Sequence, residues 1–226
     1  MKPFLAIAAA ATLLTACGGD ASAPSTPEQA PTPSAPTPTS AQQNPILIEV
    51  AAGKYAIEPS HASLVWTVSH NGLSKYTARF TELSADLDFD TATPENSKLT
   101  ARINPLSVRT DHPNGPDWDT TLGTDEKWFN ASAFPAIVYE STSVKLTGED
   151  TGTIDGKLTM LGISQPVSLD VTFNGVRNFP YFGTRDVIGF SATASLKRSD
   201  FGMNALLPAI GDEVDITIEV EFLEEE

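Results

Sequence analysis

The residues of this 226-residue chain that are best suited to metal binding or nucleophilic catalysis are three histidines and one cysteine. His61, His70 and His112 are never two or four residues apart, the spacings that bring two ligands to one face of a strand or helix. Asp111 and His112 adjoin in a loop that contains proline and asparagine, and no Gly-x-Ser-x-Gly motif presents a nucleophilic serine. Unless the fold brings distant side chains together, the sequence predicts no catalytic residue, no metal and no cofactor, and a protein that is not an enzyme.

Three carboxylates in the segment DLDFD could belong to a calcium-binding loop. Asp86, Asp88 and Asp90 stand at alternate positions, but Thr91 replaces the glycine and Ser97 the glutamate that an EF-hand requires. Alternate residues of a strand share a face, so the three acids lie opposite the apolar residues between them. We predict a solvated strand face there instead of a calcium site.

The single cysteine, Cys17, follows a segment with the features of a secretory signal. Residues 1–16 combine one lysine, an apolar stretch too short to span a bilayer, and small residues at the end. The order Leu14-Thr15-Ala16-Cys17 resembles the bacterial lipobox, in which cleavage precedes a cysteine that is then lipidated. The sequence therefore predicts a lipid anchor at Cys17. The resemblance to bacterial lipoproteins further implies sorting to the outer membrane, facing the periplasm, because Gly18 and not an aspartate follows the cysteine. Ordinary secretion with a free thiol is the alternative.

Composition divides the remainder into two parts. Residues 17–50 are rich in proline, alanine, serine and threonine and hold almost no large apolar side chain before residue 46, which predicts a disordered tether behind the lipidated cysteine. Residues 51–226 have the composition of one folded domain. Without residues 1–45 the chain keeps 27 acidic residues (29 less Asp20 and Glu28) and 13 basic ones (14 less Lys2), a net charge of −14. That charge excludes nucleic acid as a partner and leaves Cys17 as the membrane contact.

Apolar and polar residues alternate through most of this domain. In VDITIEVEF, residues 214–222, every second side chain is apolar, which is the pattern of a half-buried strand. Similar segments recur with turn signals between them and predict eight or more strands in an antiparallel barrel or sandwich. They begin near residues 64, 77, 83, 99, 137, 154, 167 and 188.

One region, residues 111–135, departs from this alternation. Its apolar residues fit short helical turns better than a strand, with Asp117 and Thr124 as candidate N-caps. The region is rich in aromatic residues, whereas ordinary loops are polar. We predict a short helical excursion that packs over one end of the sheet.

Several short motifs resemble the YceI-like, polyisoprenoid-binding family of bacterial periplasmic proteins. They cover residues 54–222 in order, and Ala62 and Trp128 depart from the usual Ser and Phe. The resemblance implies an all-β, lipocalin-like barrel of eight antiparallel strands around an elongated apolar cavity for an isoprenoid chain. The motifs are YAIEPSHASLVWTVSHNGLSKYTARF (55–80), FDTATPENS (89–97), LGTDEKWFNASAFPAIVYEST (122–142), GKLTMLGISQPVSLDV (156–171) and KRSDFGM (197–203).

Large apolar side chains on one strand face, together with those of the excursion, are the candidate ligand contacts. His70 shares the parity of Trp66 and Val68 beside an Asn-Gly turn, so we expect it to contact a polar head group, with a bond to the turn backbone as the alternative. For each apolar residue the alternative is an ordinary filled core. The candidates are Trp66, His70, Phe80, Phe89, Ile103, Tyr139, Met160, Phe173 and Phe190 from the strands, and Leu122, Trp128, Phe129 and Phe134 from the excursion.

These features lead to a functional hypothesis: a membrane-anchored envelope protein that binds an isoprenoid or similar long-chain lipid, for transport, storage or stress protection. The net charge favours a neutral head group over a pyrophosphate, with Lys197 and Arg198 as a local positive cluster that could offset it. The alternatives are a structural or stress-protective envelope protein without a ligand and, less favoured, a lipid-modifying enzyme that uses His70 as acid or base. The sequence leaves open whether the protein forms a homodimer.

Overall fold

Eleven β-strands, one α-helix and five short 3-10 helices form the described part of the chain, which in this computed structural model comprises residues 50–113 and 117–226. Cys17, the predicted signal and nearly all of the predicted tether lie outside the described residues. The elements are β1 (Gly53–Ile57), β2 (Ser63–His70), β3 (Ser74–Phe80), β4 (Leu83–Phe89), β5 (Lys98–Ile103), β6 (Val108–Arg109), α1 (Trp118–Thr124), β7 (Ile137–Leu146), β8 (Thr151–Met160), β9 (Ile163–Asn178), β10 (Asp186–Lys197) and β11 (Ile210–Glu224), with 3-10 helices at Pro59–His61, Pro94–Asn96, Pro105–Ser107, Pro180–Phe182 and Arg198–Phe201.

The strands form a closed antiparallel barrel. Tyr55 of β1 is opposite Leu87 of β4 on one side and Glu224 of β11 on the other, so the first and last strands close the ring. Near the other end of β11, Ile216 is opposite Trp66 of β2, whose other neighbour is Ala78 of β3. Because β1 and β2, β3 and β4, and β5 and β6 follow each other after short breaks, the eleven segments make eight strands in simple up-and-down order. The predicted eight-stranded barrel is confirmed.

Alternation along the strands determines which side chains fill the barrel. In β4, Ala85 and Leu87 are buried, while Asp86 and Asp88 are exposed to solvent. Asp90, just beyond the strand, is partly buried, and its carboxylate accepts hydrogen bonds from two backbone N–H groups of the following turn, at 3.1 Å and 2.8 Å. The acidic residues of the DLDFD segment thus belong to the solvent-facing side of β4 and to the turn that follows it.

The excursion between β6 and β7 contains the predicted short helix. The Asp117 carboxylate caps α1, as predicted: it accepts hydrogen bonds from the Thr120 hydroxyl and, at 3.0 Å, from the Thr120 N–H, and these bonds lower the pKa of the carboxyl. The prediction of Thr124 as an N-cap is wrong: Thr124 is the last residue of α1 and its hydroxyl donates to the Thr120 carbonyl. Asp125 caps the next turn instead, by accepting from the Lys127 N–H at 2.8 Å. The seven-residue α1 is far too short to cross a bilayer, and no other helix in the described ranges could do so.

Candidate functional site: two apolar cavities in the barrel

The inside of the barrel holds two adjoining cavities lined almost wholly by apolar side chains. The larger, of about 570 Å³, extends from the barrel centre to the end where His70 and His112 lie, and we call it the histidine cavity. The smaller, of about 300 Å³, contains four phenylalanines, Phe89, Phe173, Phe190 and Phe222, and we call it the phenylalanine cavity. An eight-stranded barrel has the diameter to enclose one slender ligand, and both volumes are in the range of ligand sites.

The histidine cavity is walled by strands and covered by the excursion. The Phe80 ring of β3 meets the Phe129 ring of the excursion edge to face, with centroids 5.2 Å apart. Because such contacts tie the excursion to the barrel wall, the predicted cover over one end of the sheet is present. Eight of the predicted contact residues line this cavity: Trp66, His70, Phe80, Ile103, Leu122, Trp128, Phe129 and Met160.

Polar side chains are found where this cavity reaches solvent. His70 and His112 are exposed, and the Tyr76 hydroxyl donates to the Thr110 carbonyl at 3.4 Å. The tight turn after β2, with Asn71 and the following glycine at positive φ, places His70 at this rim on the face of Trp66, as its parity predicts. Its Nδ1 lies 3.2 Å from the side-chain nitrogen of Asn71, so the imidazole contacts a side chain of the turn, whereas the predicted alternative is a bond to the turn backbone.

Trp66 contributes an unusual polar group to this otherwise apolar wall. Its indole N–H is buried and, among the described residues, has no hydrogen-bond partner. A buried donor left unpaired costs about 1–3 kcal/mol, so such groups are uncommon in folded proteins. Trp66 thus lines the histidine cavity, and its N–H has no acceptor in the described part of the chain.

Arg198 is buried beside the same cavity and holds the loop that precedes β11. Its guanidinium donates to the carbonyls of Met203, Ile210 and Gly211 at 2.8–2.9 Å, and it lies 5.9 Å from the centroid of the Trp128 ring. Burial lowers the pKa of Arg198. Each of the three guanidinium nitrogens donates to a backbone carbonyl, so the Arg198 charge, which the sequence suggests could offset that of an anionic head group, is already engaged by the loop.

The phenylalanine cavity is built from strand residues packed ring against ring. The Phe89, Phe173 and Phe190 centroids are 5.4–6.5 Å apart, and Phe190 also meets Phe222 at 6.1 Å. A bulge in the β9–β10 ladder after Gly189 brings Phe173 directly opposite Phe190. Phe222 is fully packed, with 4% exposed, whereas the other three rings stay partly exposed inside the barrel. Partial exposure at inward positions means that those rings face open space.

Tyr139 of β7 forms part of the wall of the phenylalanine cavity. Its hydroxyl contacts the carbonyls of Ile154, at 2.9 Å, and Val167, at 3.2 Å, and burial raises the pKa of Tyr139. The ring crosses over Gly156, where any Cβ would overlap it. Tyr139 lines the cavity as predicted, but its polar atom is directed to the protein backbone.

The predicted residues and the observed cavities differ at a few positions. Phe134 packs against Gly162 in the β8–β9 turn and, in the described part of the chain, is absent from both linings. Sequence reasoning missed Tyr76, Trp118 and Leu206, which line the histidine cavity from β3, from the first residue of α1 and from the loop before β11. The parity of β11 could have supplied two further lining residues, Val214 and Ile216, whereas no local pattern identifies the loop residues.

The third histidine is separate from both cavities. His61 Nδ1 lies 2.6 Å from a Glu58 carboxylate oxygen in the 3-10 turn between β1 and β2. Over residues 50–113 and 117–226, no three His, Cys, Asp or Glu side chains are grouped closely enough to hold a metal ion.

A closed eight-stranded antiparallel barrel with an apolar interior and an aromatic cover is a lipocalin-like barrel. The YceI-like domain profile matches residues 55–222, and the chain belongs to that family. A UPF0312 protein of Pseudomonas putida is 33% identical over 175 residues, which cover 76% of this chain and 88% of that protein.

Solved structures share the fold. The YceI protein of Campylobacter jejuni is 29% identical, with a TM-score of 0.61 over 70% of this chain and 90% of that one. A polyisoprenoid binding domain from Saccharophagus degradans, described as implicated in plant cell wall breakdown, has 19% identity and a TM-score of 0.53 over 76% of this chain and 98% of that one.

Proposed function

We propose that this protein is a bacterial envelope protein that binds an isoprenoid or similar long apolar lipid inside its barrel. The observation that carries the proposal is the pair of adjoining apolar cavities, of about 570 and 300 Å³, within one closed barrel. A long hydrocarbon transferred from water to such a cavity gains about 25 cal/mol for each Å² of apolar surface buried. The polyisoprenoid-binding description of a protein with the same fold supports this class of ligand.

We further propose that the ligand carries a neutral polar head group and places it at the histidine end. His70 brings an imidazole to the solvent end of that cavity, while each guanidinium nitrogen of Arg198 already donates to a backbone carbonyl. Among the described residues at the opposite end, Glu149 and Asp150 line the phenylalanine cavity with a single basic residue, Lys98, so the net negative charge there disfavours an anionic head group. An alcohol or quinone satisfies these conditions better than a pyrophosphate does.

The experiment that tests the lipid-binding proposal is mass spectrometry of an organic extract from protein purified under native conditions. We expect one class of long-chain isoprenoid or similar lipid in near-stoichiometric amount. An unrelated protein purified identically from the same cells is the control for carried-over membrane lipid. Extracts that match this control contradict the proposal and favour a structural or stress-protective protein without a ligand.

The proposed attachment to the envelope depends on Cys17, which lies outside the described residues. Burial of the acyl chains of a lipidated cysteine, at about 0.8 kcal/mol per CH2, gives stable membrane attachment when two or more chains are present. We expect the protein in the membrane fraction, and Cys17→Ser in the soluble fraction or as uncleaved precursor. An unmodified thiol at Cys17 in the mature protein contradicts the anchor but leaves the lipid-binding proposal intact.

A further inference from the structure

Four aliphatic side chains separate the two cavities. Leu64, Ile103, Leu158 and Ile216 each line both the histidine cavity and the phenylalanine cavity, so they lie at the junction between them. They come from β2, β5, β8 and β11, four strands distributed around the barrel. We call these four residues the belt.

The belt is packed and not open. Leu64, Ile103 and Leu158 are only 8–9% exposed and belong to one continuous core cluster, against which Ile216 also packs. A chain that occupies the histidine cavity alone leaves the belt undisturbed. A longer chain has to move these side chains before its tail reaches the phenylalanine cavity, and the apolar surface that it buries there offsets that cost.

We propose that the belt determines which chain lengths the protein retains: short chains bind in the histidine cavity only, and long chains bind by passing the belt into the phenylalanine cavity. This inference rests on the proposed function, since it assumes a lipid with its head at the histidine end. Aliphatic residues suit the role because they change rotamer without leaving a polar group unpaired. The phenylalanine cavity is then the tail site that favours long ligands over short ones.

The test compares two prenols of the same chemistry, farnesol as the short probe and solanesol as the long one. Ile216→Trp enlarges the belt on β11, and Thr217→Trp places the same side chain at the next position, which is exposed. In lipid-stripped protein we expect wild type and Thr217→Trp to bind solanesol more tightly than farnesol. In Ile216→Trp we expect solanesol affinity to fall at least about tenfold more than farnesol affinity, because Ile216 lines both cavities but only solanesol has to pass the belt.

The outcomes separate this inference from the proposed function. If wild type binds neither prenol, the lipid-binding proposal fails and the belt with it. If wild type binds both and Ile216→Trp weakens them equally, or weakens neither, only the belt is refuted. If urea titrations show that Ile216→Trp does not fold, Ile216→Ala gives the opposite test. Opening the belt should speed solanesol uptake several-fold more than farnesol uptake. An equal change for the two prenols, or no change, refutes the belt.

Discussion

The two cavities lie in one barrel but are built in different ways. The phenylalanine cavity is formed mainly by strand residues, whose inward positions are fixed by β-ladder register, and its rings pack on one another. The histidine cavity needs parts outside the strands: the excursion over its opening, and the loop before β11 that Arg198 holds by its carbonyls. Strand periodicity thus supplies an apolar tail site, while irregular segments supply the polar rim at which ligand chemistry can be discriminated.

The largest expected effect distinguishes filled core from open wall within the phenylalanine cavity. Phe222 is 4% exposed, so Phe222→Ala should lower the free energy of unfolding by about 3–5 kcal/mol. Phe190 partly faces open space, so Phe190→Ala should cost about 1–3 kcal/mol in lipid-stripped protein, yet reduce the retention of bound lipid. Urea unfolding of both variants measures the difference. Equal losses, with no lipid detected in wild type, would show that this half of the barrel is an ordinary filled core.

The second effect tests whether the histidine end depends on one buried side chain. Arg198→Met removes three hydrogen bonds to carbonyls and should lower the free energy of unfolding by about 2–4 kcal/mol, because buried carbonyls lose charged donors. Arg198→Lys keeps the charge but not the planar fork, and should recover less than half of the loss. Urea unfolding is again the measurement. A loss below about 0.5 kcal/mol for Arg198→Met would mean that water replaces the guanidinium and that the loop is self-supporting.

The phenylalanine half of the barrel was more predictable from sequence than the histidine half. Val220 and Phe222 alternate with charged residues, and that pattern alone places them inside. In β9 the inward-facing side chains are at odd-numbered positions up to Phe173, but Val176 is also buried. The bulge inserts one extra residue between them, and a simple alternation of apolar and polar residues does not predict where such a bulge occurs. Local patterns therefore predict most of the residues that line the phenylalanine cavity, but not the positions at which the strand register shifts.

At the histidine end the limits of sequence reasoning are different. The sequence of the excursion predicted the N-cap of α1 and the position of Phe129 over the barrel end, because both depend on residues that are close in sequence. It could not give Arg198 a partner, since Ile210 and Gly211 are brought to it only by the closed fold. The sequence also led us to assign Phe134 to the cavity, whereas its ring packs on the β8–β9 turn. Composition identifies an apolar segment but does not determine the direction in which each ring points. Contacts between loops distant in sequence need the structure.

The third effect separates occupancy from stability. Ala192 is buried and lines the phenylalanine cavity, so Ala192→Trp should fill the tail site and reduce co-purified lipid at least about tenfold. Because the cavity provides room for the ring, the free energy of unfolding of stripped protein should fall by less than about 1 kcal/mol. Thr193→Trp, at the next and exposed position, is the matched control and should leave the lipid content unchanged. Unfolding of Ala192→Trp alone would indicate a solid interior.

The smallest expected effect lies at the polar rim. His70 lines the histidine cavity at the solvent end and contacts the Asn71 side chain at 3.2 Å, so one ring nitrogen is left for a head group. A single such hydrogen bond contributes about 0.5–1.5 kcal/mol, so His70→Ala should weaken the binding of a prenol by about two- to tenfold with the fold intact. His61→Ala is the control, because His61 pairs with Glu58 away from both cavities. If the loss is the same for a prenol and for its parent hydrocarbon, His70 supports the turn and not the head group. A loss confined to the prenol would place the head group at the histidine end and leave the phenylalanine cavity for the tail.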